Sequence, residues 1–288
     1  MSTHWPPPAR AARDANAIGG RAKSRCLSGA RICHRSLLAG SALLFAVSTA
    51  VTVPWCASMA AMGGMPMAGG WTLSMAWMPM AGQTWPATAA SFLGMWTVMM
   101  AAMMTPALVP MLWRYREALG TVASVAPGGL TALAGLAYFC VWIACGTGVF
   151  ALGATLAVLE LRLPALARAV PLAGGTVVLI AGVCQCTAWK ARQLACCQQA
   201  PGRAHALAAS AGVAWRHGLR LGLNCGCCCA GPTAILLVLG VMDLRMMALT
   251  TLAISAERLA PGGERIARVT GGVAVAAGLL LIARAFGH

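Results

Sequence analysis

The chain has 288 residues, of which 59% are hydrophobic and only 9% charged, with a mean hydropathy of +0.76. A water-facing surface draws on about 25% charged residues, so this composition excludes a soluble globular enzyme and points to an integral membrane protein of several spans. The 21 Lys and Arg against 6 Asp and Glu are not arranged for nucleic acid: seven of the cations fall in the first 35 residues and most others in short loops between apolar runs, the pattern of topology-setting charge and anionic-lipid contact.

In chain order, residues 1–35 are basic and rich in Ala, Gly and Pro and are expected to be a disordered cytoplasmic tail. Residues 36–53 read as a first transmembrane helix that is kept rather than cleaved. Residues 54–86 form an external loop rich in Met, Gly and Trp, and 87–288 a helical membrane domain. Within that domain apolar runs cover about 87–112, 129–159, 169–188, 219–242 and 267–285, with a short run at 246–257. The short run is marginal against the roughly 20 residues a span needs. Counting it as a span places 17 Lys and Arg in the cytoplasm and four outside; omitting it gives 15 and six. The positive-inside rule therefore favours seven spans, with the N-terminus cytoplasmic and the C-terminus outside. The expected fold is all-α, a polytopic membrane helical bundle of about seven (six to seven) transmembrane helices in a bacterial inner membrane.

Thirteen Cys and seventeen Met outnumber the carboxylates and the five His, so a metal site here is expected to be soft. The external loop repeats Met-x-x-Met-Pro-Met as Met62, Met65, Met67 and again as Met75, Met78, Met80, with Met59 ahead of the first copy. Thioethers need no deprotonation, cannot be lost to disulfides, and select Cu(I). The same residues also serve as adaptable packing. In the second run Met95, Met99 and Met103 fall at i, i+4 and i+8, one helical face, with Met100 and Met104 beside them. Such a ladder suits relay of a soft ion, and equally a packed core.

The fifth long run opens Asn224-Cys225-Gly-Cys227-Cys228-Cys229 and reaches Pro232. On a helix Cys225, Cys228 and Cys229 share a face and Cys227 points elsewhere. Pro232 has no N–H, which frees the carbonyl of Cys228. Cys184 and Cys186 end the preceding run, and Cys196 and Cys197 follow in the next loop. On the predicted topology these thiols share the cytoplasmic side, where reduction favours ligation over disulfides. Cys140 and Cys145 read as packing. Glu257 is the one carboxylate well inside an apolar run, a functional candidate by default, either balancing a bound cation or pairing with Arg258. His205 and His217 read as loop residues. No Walker-type phosphate loop, Ser-His-Asp set or co-located carboxylate pair is present, so no enzyme is expected.

Several stretches together resemble the bacterial family of predicted metal-binding integral membrane proteins, a domain of unknown function. They are Met95-Trp96 through Met103-Met104-Thr-Pro106, Gln185-Cys-Thr187-Ala-Trp-Lys190, Cys196-Cys197, Gly218 to Pro232, Gly240-Val-Met242-Asp243 and Glu257-Arg258. The resemblance spans roughly residues 90–285 and implies a multi-span helical protein that handles metal, with copper the fitting ion. The external Met repeat lies outside it.

The reading reached is a Cu(I)-handling membrane protein, serving as copper chaperone or in uptake or delivery. The Met loop captures the ion, the stripe relays it and the thiol cluster holds it. Its partners are the lipid bilayer, the metal ion and a cuproprotein or periplasmic metal carrier, with no nucleic acid. Zinc is the weaker metal because His and carboxylate are scarce. The alternatives are a membrane thiol oxidoreductase using Cys225, Cys228 and Cys229, and a non-catalytic membrane assembly subunit.

Overall fold

A computed structural model describes residues 8–79, 82–120, 127–198 and 210–287. Among the described residues, eight helices carry the fold: α1 (Pro8–Ala61), α2 (Trp85–Gly120), α3 (Pro127–Arg162), α4 (Pro164–Gln185), α5 (Ala188–Gln198), α6 (Ala211–Gly240), α7 (Leu244–Leu259) and α8 (Gly263–Phe286). Between α1 and α2 lie two antiparallel three-residue strands, β1 (Gly64–Pro66) and β2 (Thr72–Ser74), and a 3-10 turn, Met75–Trp77. The helix α1 begins inside the segment read as a tail and runs without a break through the first apolar run.

Among the described residues, six helices are long and apolar enough to cross a membrane: α2, α3, α4, α6, α8 and the Arg35–Ala61 part of α1. Their outward faces carry large apolar side chains, among them Val269 and Val273 of α8, each 66% exposed. Such a surface is expelled by water and suits hydrocarbon. α2 is the central helix, with 67% of its most apolar window buried against 39% or less in the others.

The 246–257 run is the core of α7, whose 16 residues measure about 24 Å, short of the ~30 Å hydrocarbon slab. The count of long helices therefore falls at the lower end of the predicted range. The path of α7 explains why charge counting favoured seven. Gly240 ends α6 with φ +131°, and Asp243 caps α7 by accepting from the N–H of Arg245 at 2.7 Å and of Met246 at 3.2 Å. α7 then runs back beside α6 to the level of Cys225, and α8 starts next to Leu194 of α5. A short helix thus carries the chain from the C-terminal end of α6 back to the level of Cys225, where α8 begins.

Several boundaries differ from the sequence reading, among them the end of α2, which runs past 112 to Gly120. α6 starts eight residues earlier than predicted because Ser210 caps it, its Oγ accepting from the N–H of Val213 at 3.4 Å. The loop after α4 contains α5, whose helix formers (Ala, Lys, Gln, Leu) were masked by their polarity in a search for apolar runs.

Backbones approach closely where glycine permits. A methyl group on Gly182 of α4 would sit 2.7 Å from the backbone nitrogen of Val275 in α8, and one on Gly218 of α6 would collide with the carbonyl of Ala134 in α3. This is small-residue packing, the main means of helix association in lipid.

Candidate metal centre

The three cysteines that share a face of α6 are buried, and Cys227 is exposed, as the helical period requires. Cys225 lies 14 residues from the start of α6, about 21 Å along it, so the cluster sits at mid-helix rather than at a helix end. The sulfurs of Cys225 and Cys229 are 3.8 Å apart. Cys228 and, from α5, Cys197 lie near enough to this pair to act on it electrostatically. Four thiols therefore gather in one region, with Cys225 and Cys229 in contact. Hydrogen bonding to Cys228, then burial, holds the Cys197 thiol above its ordinary value. Its Sγ also donates to the carbonyl of Asn224 at 3.7 Å.

Two groups that sequence reasoning passed over point at Cys225. The Tyr138 hydroxyl of α3 donates to its Sγ at 3.0 Å, and Arg258 Nη1 of α7 donates at 2.8 Å. Arg258 Nη2 lies 3.5 Å from the sulfur of Met111 on α2. Donors aimed at sulfur favour its charged, ligating form. Arg258 was counted among topology-setting cations, yet it is 7% exposed.

Glu257 pairs with Lys190: Nζ and Oε2 are 2.7 Å apart, with both side chains almost fully buried. Gln185 Nε2 donates to Glu257 Oε1 at 2.9 Å and Thr270 Oγ1 at 2.8 Å. Lys190 Nζ also donates to the carbonyl of Cys228 at 2.7 Å, the very group that Pro232 leaves without an intrahelical partner. One ammonium thus ties α5 to α6 and α7, while Glu257 gathers α4 and α8. A signal was present in the sequence: apart from Lys23 in the basic tail, Lys190 is the only lysine of the chain, all other cations being Arg.

The remaining candidates divide. Cys196, Cys184 and Cys186 are exposed. Cys145 is exposed too and Cys140 half-buried, so neither fills the core as expected. His217 belongs to α6, not a loop, and stacks on Tyr115 with centroids 4.5 Å apart. Met95, Met99, Met100, Met103 and Met104 are all buried. Met62 and Met65 are exposed in the hairpin, whereas Met67, Met75 and Met78 are half-buried. Met80 and His205 lie outside the described residues. Cys56, which carried no signal alone, is buried with its sulfur 3.8 Å from that of Met247.

Among the described residues, no three His, Cys, Asp or Glu side chains stand as a ready ligand set for a metal ion. A cuprous ion asks for less: two or three soft donors suffice, and two thiolates suit it. With metal–thiolate bonds of about 2.3 Å, two sulfurs on one ion stand at most ~4.6 Å apart, and Cys225 and Cys229 fall within that.

Fold and site together define a polytopic helical protein of membrane-spanning dimensions whose buried polar groups converge on a row of thiols. Residues 93–281 match the PpoB2 family, described as copper chaperone, and the chain belongs to that family. This is a metal-related family, though not the domain of unknown function that the motifs resemble. The match includes the Met95–Met104 stripe, the Cys197, Cys225, Cys228 and Cys229 thiols and α7, and excludes the external Met repeat. Neither curated proteins nor solved structures provide a match.

Proposed function

We propose that this protein is a multi-pass copper chaperone of the bacterial inner membrane that carries Cu(I) on the Cys225, Cys229, Cys228 and Cys197 thiols and hands it to a cuproprotein or periplasmic carrier. The observation that carries the reading is the buried Cys225–Cys229 pair, 3.8 Å apart, with Arg258 and Tyr138 donating to one of its sulfurs. Two thiolates and one cuprous ion leave a single negative charge, which the Arg258 guanidinium is placed to balance. The protein acts by ligation and release, not by catalysis. Cu(I) is preferred to zinc because the cluster offers sulfur with no neighbouring imidazole or free carboxylate: Glu257 is held by Lys190, Gln185 and Thr270.

Membrane location is supported by the six long apolar helices, and a cytoplasmic N-terminus by the density of cations before the first span. On this orientation the methionine loop faces outward and supplies or receives the ion.

The test is anaerobic Cu(I) titration of the full chain in nanodiscs against a chromophoric chelator. Changing Cys225, Cys228 and Cys229 together to Ser is expected to abolish the tightest site and to lower copper loading of the client enzyme in cells. Unchanged tight binding in that variant overturns the reading.

A further inference from the structure

At the end of the bundle carrying the hairpin, a cleft opens where α1, the 3-10 turn, α2 and the α6–α7 link meet. Five of its eleven lining residues are methionines: Met59 of α1, Met75 and Met78 of the second repeat copy, Met95 at the head of the α2 stripe, and Met242 of the link. The first repeat copy takes no part, with Met62 and Met65 turned to the surface.

The two copies of one motif diverge for a physical reason. Trp77 lies against Gly153 of α3, where any side chain would collide with the indole, and packs on Phe92 of α2 at 5.0 Å between centroids. Trp71 Nε1 donates to the carbonyl of Ala167 at 2.9 Å. The loop is thereby pinned to α4 on one side and to α2 and α3 on the other, which turns Met75 and Met78 inward. Methionine used as filler closes the gaps it lines. These five instead surround open space, and they come from four separate parts of the chain.

We infer that this cleft is a second cuprous site, in which thioethers are the soft donors beside the polar Gln83, Thr88 and Ser91, separate from the thiol cluster. Neutral thioether donors select Cu(I) over harder ions and hold it without a proton to displace. They leave the ion its positive charge and grip it loosely enough for exchange, as an entry or exit station requires. Met95 belongs to both the cleft and the buried stripe, so Met99 and Met103 follow it along the same face of α2. The identity of the ion rests on the copper-handling reading; the site itself does not need the thiols.

The experiment uses the full chain in nanodiscs with Cys197, Cys225, Cys228 and Cys229 all changed to Ser, titrated anaerobically with Cu(I). One equivalent is expected to remain bound, with a sulfur-only X-ray absorption signature. Adding Met75→Leu and Met95→Leu is expected to weaken it about tenfold or more, since even outer partners of a metal site are worth 10–100-fold. Met62→Leu with Met65→Leu is expected to leave it unchanged. Leu for Met nearly conserves volume, and single changes at Met59 and Met242 repeat the test with one donor removed at a time. A thiol-free chain that binds no Cu(I) overturns the inference, as does binding indifferent to the cleft methionines. The thiol reading fails in a different way, when wild-type and thiol-free chains bind the same number of ions.

Discussion

At the residue scale the decisive object is the Lys190–Glu257 pair. Both charges are buried, and each also serves a backbone or side-chain group that would otherwise be without a partner in the interior. Removing one member leaves the other buried and uncompensated, at a cost of about 3–5 kcal/mol. Lys190→Met and Glu257→Gln are each expected to lower stability by that order in reversible unfolding from mixed micelles. The double change Lys190→Met with Glu257→Leu is expected to recover much of the loss, because an apolar pair of similar volume restores balance. A loss in the double variant equal to the sum of the two single losses would show that the pair is not coupled. Arg258 differs in kind. It stands between two sulfurs, Cys225 and Met111, so its replacement bears on the ion more than on the fold.

At the scale of elements, glycines set how closely the helices lie and hence whether the thiols meet. Gly182 and Gly271 bring α4 and α8 into backbone contact, and Gly218 and Gly222 do the same for α6 and α3. Tyr138 reaches Cys225 only because that second contact is tight. Gly218→Ala drives a methyl group into the Ala134 carbonyl, and overpacking of this kind costs about 1–3 kcal/mol. The expected outcome is a lower unfolding midpoint together with weaker Cu(I) binding, measured on the same preparation. A lower midpoint with intact affinity would mean that the thiol cluster tolerates separation of α3 from α6.

Helix packing also marks where sequence reading stops. Hydropathy alone located the spans, and the 3.6-residue period alone separated Cys225, Cys228 and Cys229 from Cys227. The loss of an N–H at Pro232 pointed to a free carbonyl at Cys228. Each of these is a property of one segment. That Lys190 fills that carbonyl, that Glu257 takes Lys190 while Arg258 takes Cys225, and that Cys197 rather than Cys196 joins the cluster depend on the register between helices far apart in the chain. The same limit hid the difference between the two Met repeats, which are alike in sequence and differ only in what Trp71 and Trp77 dock against.

For the whole molecule, the arrangement sets two sulfur-rich places apart along α2. Met95 lies in the cleft and Met111 beside Arg258, 16 residues and about 24 Å apart along the helix axis. Met99 and Met103 fall between them on one face, and Ala107 interrupts the row. The proposed orientation puts the cleft outside and the end of the bundle where α5 ends and α6 begins in the cytoplasm. Single cysteines placed at residue 63 and at residue 203 of an otherwise cysteine-free chain are expected to react with a membrane-impermeant maleimide from opposite sides of intact cells and inverted vesicles. Labelling of both from one side would refute the predicted topology.

Helix length carries one more consequence. α2 and α3 have 36 residues each, α4 has 22 and α8 has 24, so one flank stands about 54 Å tall and the other about 33–36 Å. Against a hydrocarbon slab of about 30 Å, the short flank matches the lipid and the tall one overshoots it. Tilt or local thickening takes up the apolar part of that surplus, and the charged end of α2 at Arg114, Arg116 and Glu117 can stand beyond it. A change in acyl-chain length is therefore expected to alter the lean of α2, the helix along which the methionines are strung.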